Sequence, residues 1–513
     1  MRRLVSATSL RASTFLVALV FLAVPCPAAE APPNPAALAE ALDAILAKAG
    51  LGKTVTAVRV LDLGVPGRPS RPVELYRRES DRPLIPASNM KLMTTAACFD
   101  RLGPDWRIRT HVGRIPSARG KGTWDLAVIG GGDPNVSGRF WGGDAVGAFR
   151  RWAQVLKSRG LTAVERIVLD DTLFDAALVH PNWPADQRDK WYEAPANALP
   201  INDNCASVFV SPGSAAGQPA RVRLDPPGSG IRLSGGIRTV ADRKAHRYSI
   251  ERVIGSGGVM RIHTDGGFWV QAPERVEYRT LVDPTRVFGH ALAWALERQG
   301  IDVAGPVVRG VLTQPSGAVA EGFQCDLVHT SRLATTVAVA NTRSQGVYAE
   351  CLLKLLGAYG QTPAVRTPKP PRQGSWASGR QELARWLAER GIPAAGCVFD
   401  DGSGLSKENR LTAFVLTEVL VLMHRHYGEG FRRTLAVAGA EGSLAKRMTR
   451  TPAEGRVFAK TGYVAGVSTL SGYAETASGH RLAFSVLMNG FPYGQLWKAR
   501  LAQDKMCIRM VGY

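Results

Sequence analysis

Long hydrophobic runs are nearly missing from this 513-residue sequence. The longest near the start runs from Phe15 to Val24, half the roughly 20 apolar residues that a membrane span needs. Arg2, Arg3 and Arg11 precede or open it, and the small residues Ala28 and Ala29 follow. That layout predicts a cleavable secretory signal over residues 1–29 and an exported, periplasmic protein. Cys26 follows Pro25 rather than a small residue, which speaks against a lipoprotein. Cysteine is scarce, with seven in all. The six beyond the signal (Cys98, Cys205, Cys325, Cys351, Cys397 and Cys507) form no CxxC, so neither a zinc ribbon nor a dithiol redox site is indicated. An oxidising compartment would permit disulfides, buried free thiols are an equal alternative, and spacing does not choose a pairing. Nine histidines include no HExxH. No Lys/Arg run is interleaved with aromatics, which excludes a nucleic-acid surface of that kind. Acidic residues are in deficit, 43 against 64 basic, for a net charge of +21. Anionic wall polymers or an anionic membrane surface suit that sign as peripheral partners; an arginine-rich composition explains it equally well.

What is present reads as globular: 45% of residues are apolar and 21% charged. Asn34-Pro35 opens a helix, with Asn as cap and Pro at its first position, and Leu38, Leu42, Ile45 and Leu46 recur at helical spacing. Val55–Leu63 and Val73–Tyr76 read as strands, and 88–102 as a largely apolar core helix carrying Cys98. Between about 110 and 280 glycines, prolines and short strands dominate, with one helix near 145–158. Helices are expected again at 284–299, 347–356, 379–390, 411–427 and 496–510. Strands are expected at 457–460, 467–475 and 481–487. The Pro-rich stretch 367–372 reads as a surface loop.

Acyl transfer through serine needs a nucleophile, an adjacent base, an oxyanion site and a cation for the substrate carboxylate. Pro86-Ala87-Ser88-Asn89-Met90-Lys91 supplies the first two, because residues three apart on a helix share a face. Ser88 could equally be an ordinary helix cap. Ser443-Leu444-Ala445-Lys446 repeats the spacing, but in a short glycine-flanked stretch rather than at the head of a core helix. Lys460-Thr461-Gly462 occurs once, in a strand. Its Lys and Thr suit a terminal carboxylate, and its Gly permits close backbone approach.

Ser-x-x-Lys followed by Lys-Thr-Gly resembles the motif set of penicillin-binding proteins and serine β-lactamases. Gly130-Gly131-Gly132-Asp133-Pro134, Asn202-Asp203-Asn204, Tyr348-Ala349-Glu350, Asp401-Gly402-Ser403-Gly404-Leu405-Ser406, Gly439-Ala440-Glu441-Gly442-Ser443-Leu444 and Leu470-Ser471-Gly472-Tyr473 narrow the likeness. Together they resemble the D-alanyl-D-alanine carboxypeptidase/endopeptidase family, the class C low-molecular-mass penicillin-binding proteins, over nearly all the chain beyond the signal. The resemblance implies an α+β, penicillin-binding protein/serine β-lactamase-like transpeptidase fold, an antiparallel sheet flanked by helices. It also implies one or two inserted strand-rich domains. Ser88 and Ser344 must share a cleft across a separation of 256 positions. The expected division is 30–111 plus 279–513 for the catalytic domain and 112–278 for the insert. By resemblance Ser88 is the nucleophile, Lys91 its base and Ser344 the proton relay. Lys460, Thr461, Gly462 and Tyr463 bind substrate, and the N–H groups of Ser88 and Tyr463 form the oxyanion hole. Peptidoglycan peptides and β-lactam antibiotics are the expected partners, and neither cofactor nor metal is implied. The family's Ser-x-Asn reads Ser344-Gln345-Gly346 here. Glycine has no side-chain donor or acceptor, which opens two other readings: a non-catalytic penicillin-fold binding protein, or a same-fold esterase or β-lactamase. Asn341 and Gln345 are the nearby candidates to replace the amide. If the missing amide is a handicap, Gly346→Asn is expected to speed acylation.

Overall fold

A computed structural model describes residues 34–513 except 69, 121, 315 and 361–371. The expected signal over 1–29, with Cys26, and all but Arg372 of the Pro-rich stretch lie outside the described residues. The first described helix, Pro35–Lys48, starts as its sequence demands: the Asn34 side chain accepts from the Ala37 N–H, and Leu38 and Leu42 are buried.

A six-stranded sheet organises the part that carries the two motifs. Its order is Ala436–Val437, Val457–Val464, Val467–Glu475, Arg481–Asn489, Val55–Asp62, Val73–Arg78, and every neighbouring pair is antiparallel. Side chains alternate across a strand, so each strand serves two cores. On one face Val457, Ala459, Leu470, Phe484 and Val486 pack with the Pro35–Lys48 and Leu496–Val511 helices. On the other, Tyr473, Ala483 and Leu487 join an apolar mass built from Met90–Leu102, Leu333–Thr342, Gly346–Tyr359, Trp376–Glu389 and Ala413–Tyr427. The Tyr473 hydroxyl donates to the Leu420 carbonyl at 2.7 Å, joining sheet and helix. Helical elements on both faces of an open antiparallel sheet are the α+β architecture that the motifs implied.

The strand-rich unit is broader than expected. A five-stranded mixed sheet runs in the order Val307–Arg309, Ile167–Asp170, Trp124–Ile129, Arg107–Pro116, Gln324–Arg332. Helices Gly147–Ser158 and Pro284–Arg298 cover it, sharing a core that includes Phe149, Trp152 and Phe288. Two three-stranded sheets and a two-stranded pair, Ala163–Val164 with Asp302–Val303, complete the unit. The expected limits 112 and 278 therefore fall inside it. Strand Arg107–Pro116 is paired along both edges, and the helix at 284–298, expected in the catalytic part, packs here. An amphipathic pattern shows that a helix has a buried face and says nothing of what buries it. The six described cysteines are free thiols; Cys98, Cys205, Cys351 and Cys507 are buried.

Candidate active site

The Ser88 segment does not begin as an α-helix. Ala87–Asn89 form a 3-10 turn, and the α-helix starts at Met90. Ala87 takes φ +44°, a left-handed conformation that costs a residue with a Cβ roughly 1–2 kcal/mol. Packing holds it there. Gly404 sits against it so closely that a Cβ at 404 would stand 1.8 Å from the Ala87 carbonyl oxygen. Ser88 is therefore not a helix cap, since no side-chain cap bond forms at this end. Its Oγ lies 3.1 Å from Lys91 Nζ.

Lys91 is buried, and its Nζ also donates to the Ser403 carbonyl at 2.7 Å. Burial pushes its ammonium down to about 8, against the opposing pull of Glu350 and Asp401. Those two carboxylates build the loop that supplies the carbonyl. Glu350 accepts from the Gly402 and Ser403 N–H groups at 2.9 and 2.8 Å and from Trp376 Nε1 at 2.7 Å. Asp401 accepts from the Gly404 and Ser406 N–H groups, Asn409 Nδ2 and Trp183 Nε1, all at 2.7–2.8 Å. Glu350 is itself pushed up to about 7, chiefly by burial and then by Asp401.

The second arm faces the first. Lys460 is fully buried, and its Nζ donates to Ser344 Oγ and to the Thr461 carbonyl, both at 2.8 Å. Burial and the neighbouring charge of Lys91 hold Lys460 well below the usual lysine range. Ser344 carries φ +58° at the turn between two helices. Asn89 ties the arms together by donating from Nδ2 to the Lys460 carbonyl at 2.9 Å. Gly462 permits this approach: a Cβ there would stand 2.1 Å from Thr469 Oγ1 and 3.0 Å from the Ser88 nitrogen. Along this strand Lys460 and Gly462 face Ser88, while Thr461 and the half-exposed Tyr463 face the other way. The Thr461 hydroxyl donates to Ser443 Oγ at 2.8 Å. The serine of the second Ser-x-x-Lys thus reaches the site, whereas its Lys446 stays exposed.

Gly346 opens its helix with an ordinary negative φ. The space an asparagine would need is taken: a Cβ at 346 would meet the Tyr192 carbonyl oxygen at 2.9 Å. Neither proposed substitute enters the cleft. Asn341 bonds Thr95 and Thr434 in the core, and Gln345 donates to Asp203 at 2.9 Å. Asp203 is a junction between the strand-rich unit and the cleft. It also accepts from Arg139 Nε at 2.8 Å, Ser137 Oγ at 3.0 Å and the Tyr348 hydroxyl at 3.4 Å. Asn89, the Ser403 carbonyl and Tyr192 were not singled out by the sequence, and Ser443 was weighed only as a rival to Ser88. Asn89 sits inside a quoted string and could have been. A carbonyl and a loop contributed from 192 leave no residue-type signal.

Set beside known proteins, residues 38–508 match the model of the D-Ala-D-Ala carboxypeptidase 3 (S13) family. The chain is 32% identical over 494 residues to the D-alanyl-D-alanine carboxypeptidase of Actinomadura sp. (strain R39), covering 93% of this chain and 85% of that one. Its fold is similar to penicillin binding protein 4 from Haemophilus influenzae, at TM-score 0.71 and 20% identity, covering 94% of this chain and 100% of the other. The same protein complexed with a β-lactam matches at TM-score 0.66 and 20% identity, covering 92% and 98%.

Proposed function

The chain belongs to the D-Ala-D-Ala carboxypeptidase 3 (S13) family, and from that premise we propose that it is a serine-type D-alanyl-D-alanine carboxypeptidase whose nucleophile is Ser88. The observation that carries the assignment is Ser88 Oγ at 3.1 Å from a buried lysine whose ammonium is held down to about 8. Neutral Lys91 takes the Ser88 proton as Oγ attacks the carbonyl before a terminal D-alanine. The N–H groups of Ser88 and Tyr463 receive the oxyanion. Ser344, fixed by Lys460, passes a proton to the leaving amine, and water then releases the acyl group from Ser88. The substrate carboxylate is bound by Lys460 and by the hydroxyl pair of Thr461 and Ser443. Because Thr461 donates its own hydroxyl proton to Ser443, the Ser443 O–H is free to donate to that carboxylate. D-centred cross-links offer the same bond to the same cleft, and β-lactams offer a carbonyl that acylates Ser88.

The Ser403 carbonyl on Lys91 supports a working base without the family's asparagine and weighs against a non-catalytic role. We further take residues 107–332 as the insertion, and residues 1–29 as an export signal delivering the enzyme to the periplasm. Intact-mass measurement after incubation with a penicillin tests the central assignment. A single adduct is expected in the wild type and none in Ser88→Ala; an adduct that persists in the variant overturns it.

A further inference from the structure

We infer that Glu350 is a positioning residue for the acylation step, gripping Ser403 so that its carbonyl stays on Lys91 and supplying the counter-charge for the ammonium that Lys91 becomes; this rests on the functional reading above. With no side chain at 346, Lys91 Nζ has two partners among the described residues, Ser88 Oγ and the Ser403 carbonyl. The first is the group it must deprotonate. The second is therefore its one fixed anchor, and Ser403 is held at both ends. Its carbonyl accepts from Lys91 at 2.7 Å, and its own N–H donates to Glu350 Oε1 at 2.8 Å.

The grip extends to the neighbouring residue. Glu350 Oε2 accepts from the Gly402 N–H at 2.9 Å and from Trp376 Nε1 at 2.7 Å. Gly402 is pressed onto the helix that carries Glu350: a Cβ there would stand 2.6 Å from the Ala349 carbonyl oxygen. The Gly402 carbonyl in turn accepts from Thr94 Oγ1 at 2.9 Å, one turn beyond Lys91. One buried carboxylate thus fastens the 402–403 backbone between its own helix and the helix of the base. Its charge has a second use. As Ser88 Oγ bonds the substrate carbon, the carbonyl electron pair moves onto oxygen and the Ser88 proton passes to Lys91 Nζ. That leaves a buried cation, which is costly unless an anion answers it. The charged groups facing Lys91 are Glu350 from its helix, Asp401 from the loop and Lys460 from the strand. Of the two anions Glu350 pulls harder. Asp401 has His180 and the Trp183 indole N–H of the strand-rich unit behind it.

The experiment measures stopped-flow acylation by a penicillin from pH 6 to 10 for the wild type, Glu350→Gln and Trp376→Phe, with folding checked by thermal midpoint. Glutamine brings one acceptor oxygen to three N–H donors, which loosens the grip, and it removes the charge. In Glu350→Gln the plateau rate should fall about tenfold, the cost of a base that is no longer aimed. The pH midpoint of the rate should move down by about one unit, because an ammonium without its anion gives up its proton more readily. A merely structural loss does the reverse: an opened loop lets water reach Lys91, relieves its burial and moves the midpoint up. A wild-type plateau, or a midpoint that stays or rises, in a folded Glu350→Gln overturns the inference. If Glu350→Gln does not fold, Trp376→Phe decides. It keeps the carboxylate and an aromatic ring but removes a donor that holds the Glu350 carboxyl down, so less of its charge remains near neutral pH. A smaller downward shift of the midpoint is expected there, and an unmoved midpoint overturns the inference. A wild type that penicillin does not acylate at any pH fails the functional reading instead, whereas normal wild-type acylation with an unmoved midpoint in the variants fails this inference alone.

Discussion

A lysine can accept a proton near neutral pH only where its ammonium is costly, and Lys91 meets that condition through burial. Its charged form dominates below about 8, and that form cannot take the Ser88 proton. Acylation by a penicillin should therefore rise with pH, by about tenfold per unit well below the midpoint, and level off above it. Stopped-flow acylation from pH 6 to 10 checks this; a rate that is flat or falling between 6 and 8 removes Lys91 as the base. Lys91→Ala should cost at least about a hundredfold in the same rate, whereas the exposed Lys446→Ala should fold and acylate like wild type. Gly346 carries a reversed expectation. The sequence predicts a gain from Gly346→Asn, but the Tyr192 carbonyl occupies the space. The substitution should destabilise by about 1–3 kcal/mol, as overpacking does, and leave acylation no faster. Thermal midpoints and acylation rates measured together decide between the two outcomes.

Among the secondary-structure elements, the close contact of two backbones matters more than any one side chain. The Lys460-bearing strand and the Ser88 turn touch only because position 462 has no Cβ. Gly462→Ala should push them apart and lower acylation by about a hundredfold, the scale on which misplaced catalytic groups fail. Far-UV circular dichroism should stay unchanged; an enzyme acylating at the wild-type rate would show that the contact is not needed. Much at this scale was legible beforehand. The helices at 35–48 and 496–511 and the strands at 55–62 and 467–475 announce themselves through periodicity and caps. The 3-10 turn at 87–89 did not, because its left-handed Ala87 is imposed by Gly404 from far along the chain. Nor could the helix at 284–298 reveal its partner, since an apolar stripe fits any apolar surface. Ser88, Lys91, Ser344, Lys460 and Thr461 could be read from motifs, and the fold brings them together. The Ser403 carbonyl on Lys91 could not be read, because every residue has one.

Across the whole molecule, the strand-rich unit is fastened to the cleft rather than hung from it. Asp203 gathers Arg139 and Ser137 from its own unit and Gln345 and Tyr348 from the helix after Ser344. Asn135 Nδ2 reaches Thr336 Oγ1 at 2.7 Å, and Trp183 reaches Asp401. Asp203→Ala leaves these donors without an acceptor and should cost about 1–3 kcal/mol. Chemical denaturation should show a lower midpoint, and a midpoint equal to wild type would mean that the junction is ornamental. The Tyr192 carbonyl over Gly346 has its own consequence for anyone recombining such enzymes. Because residue 346 is small where segment 192 presses in, the two behave as a lock and its key, cut together. A hybrid carrying this insert on a relative's catalytic core, with asparagine at the matching place, should jam at that point, and restoring glycine there should release it.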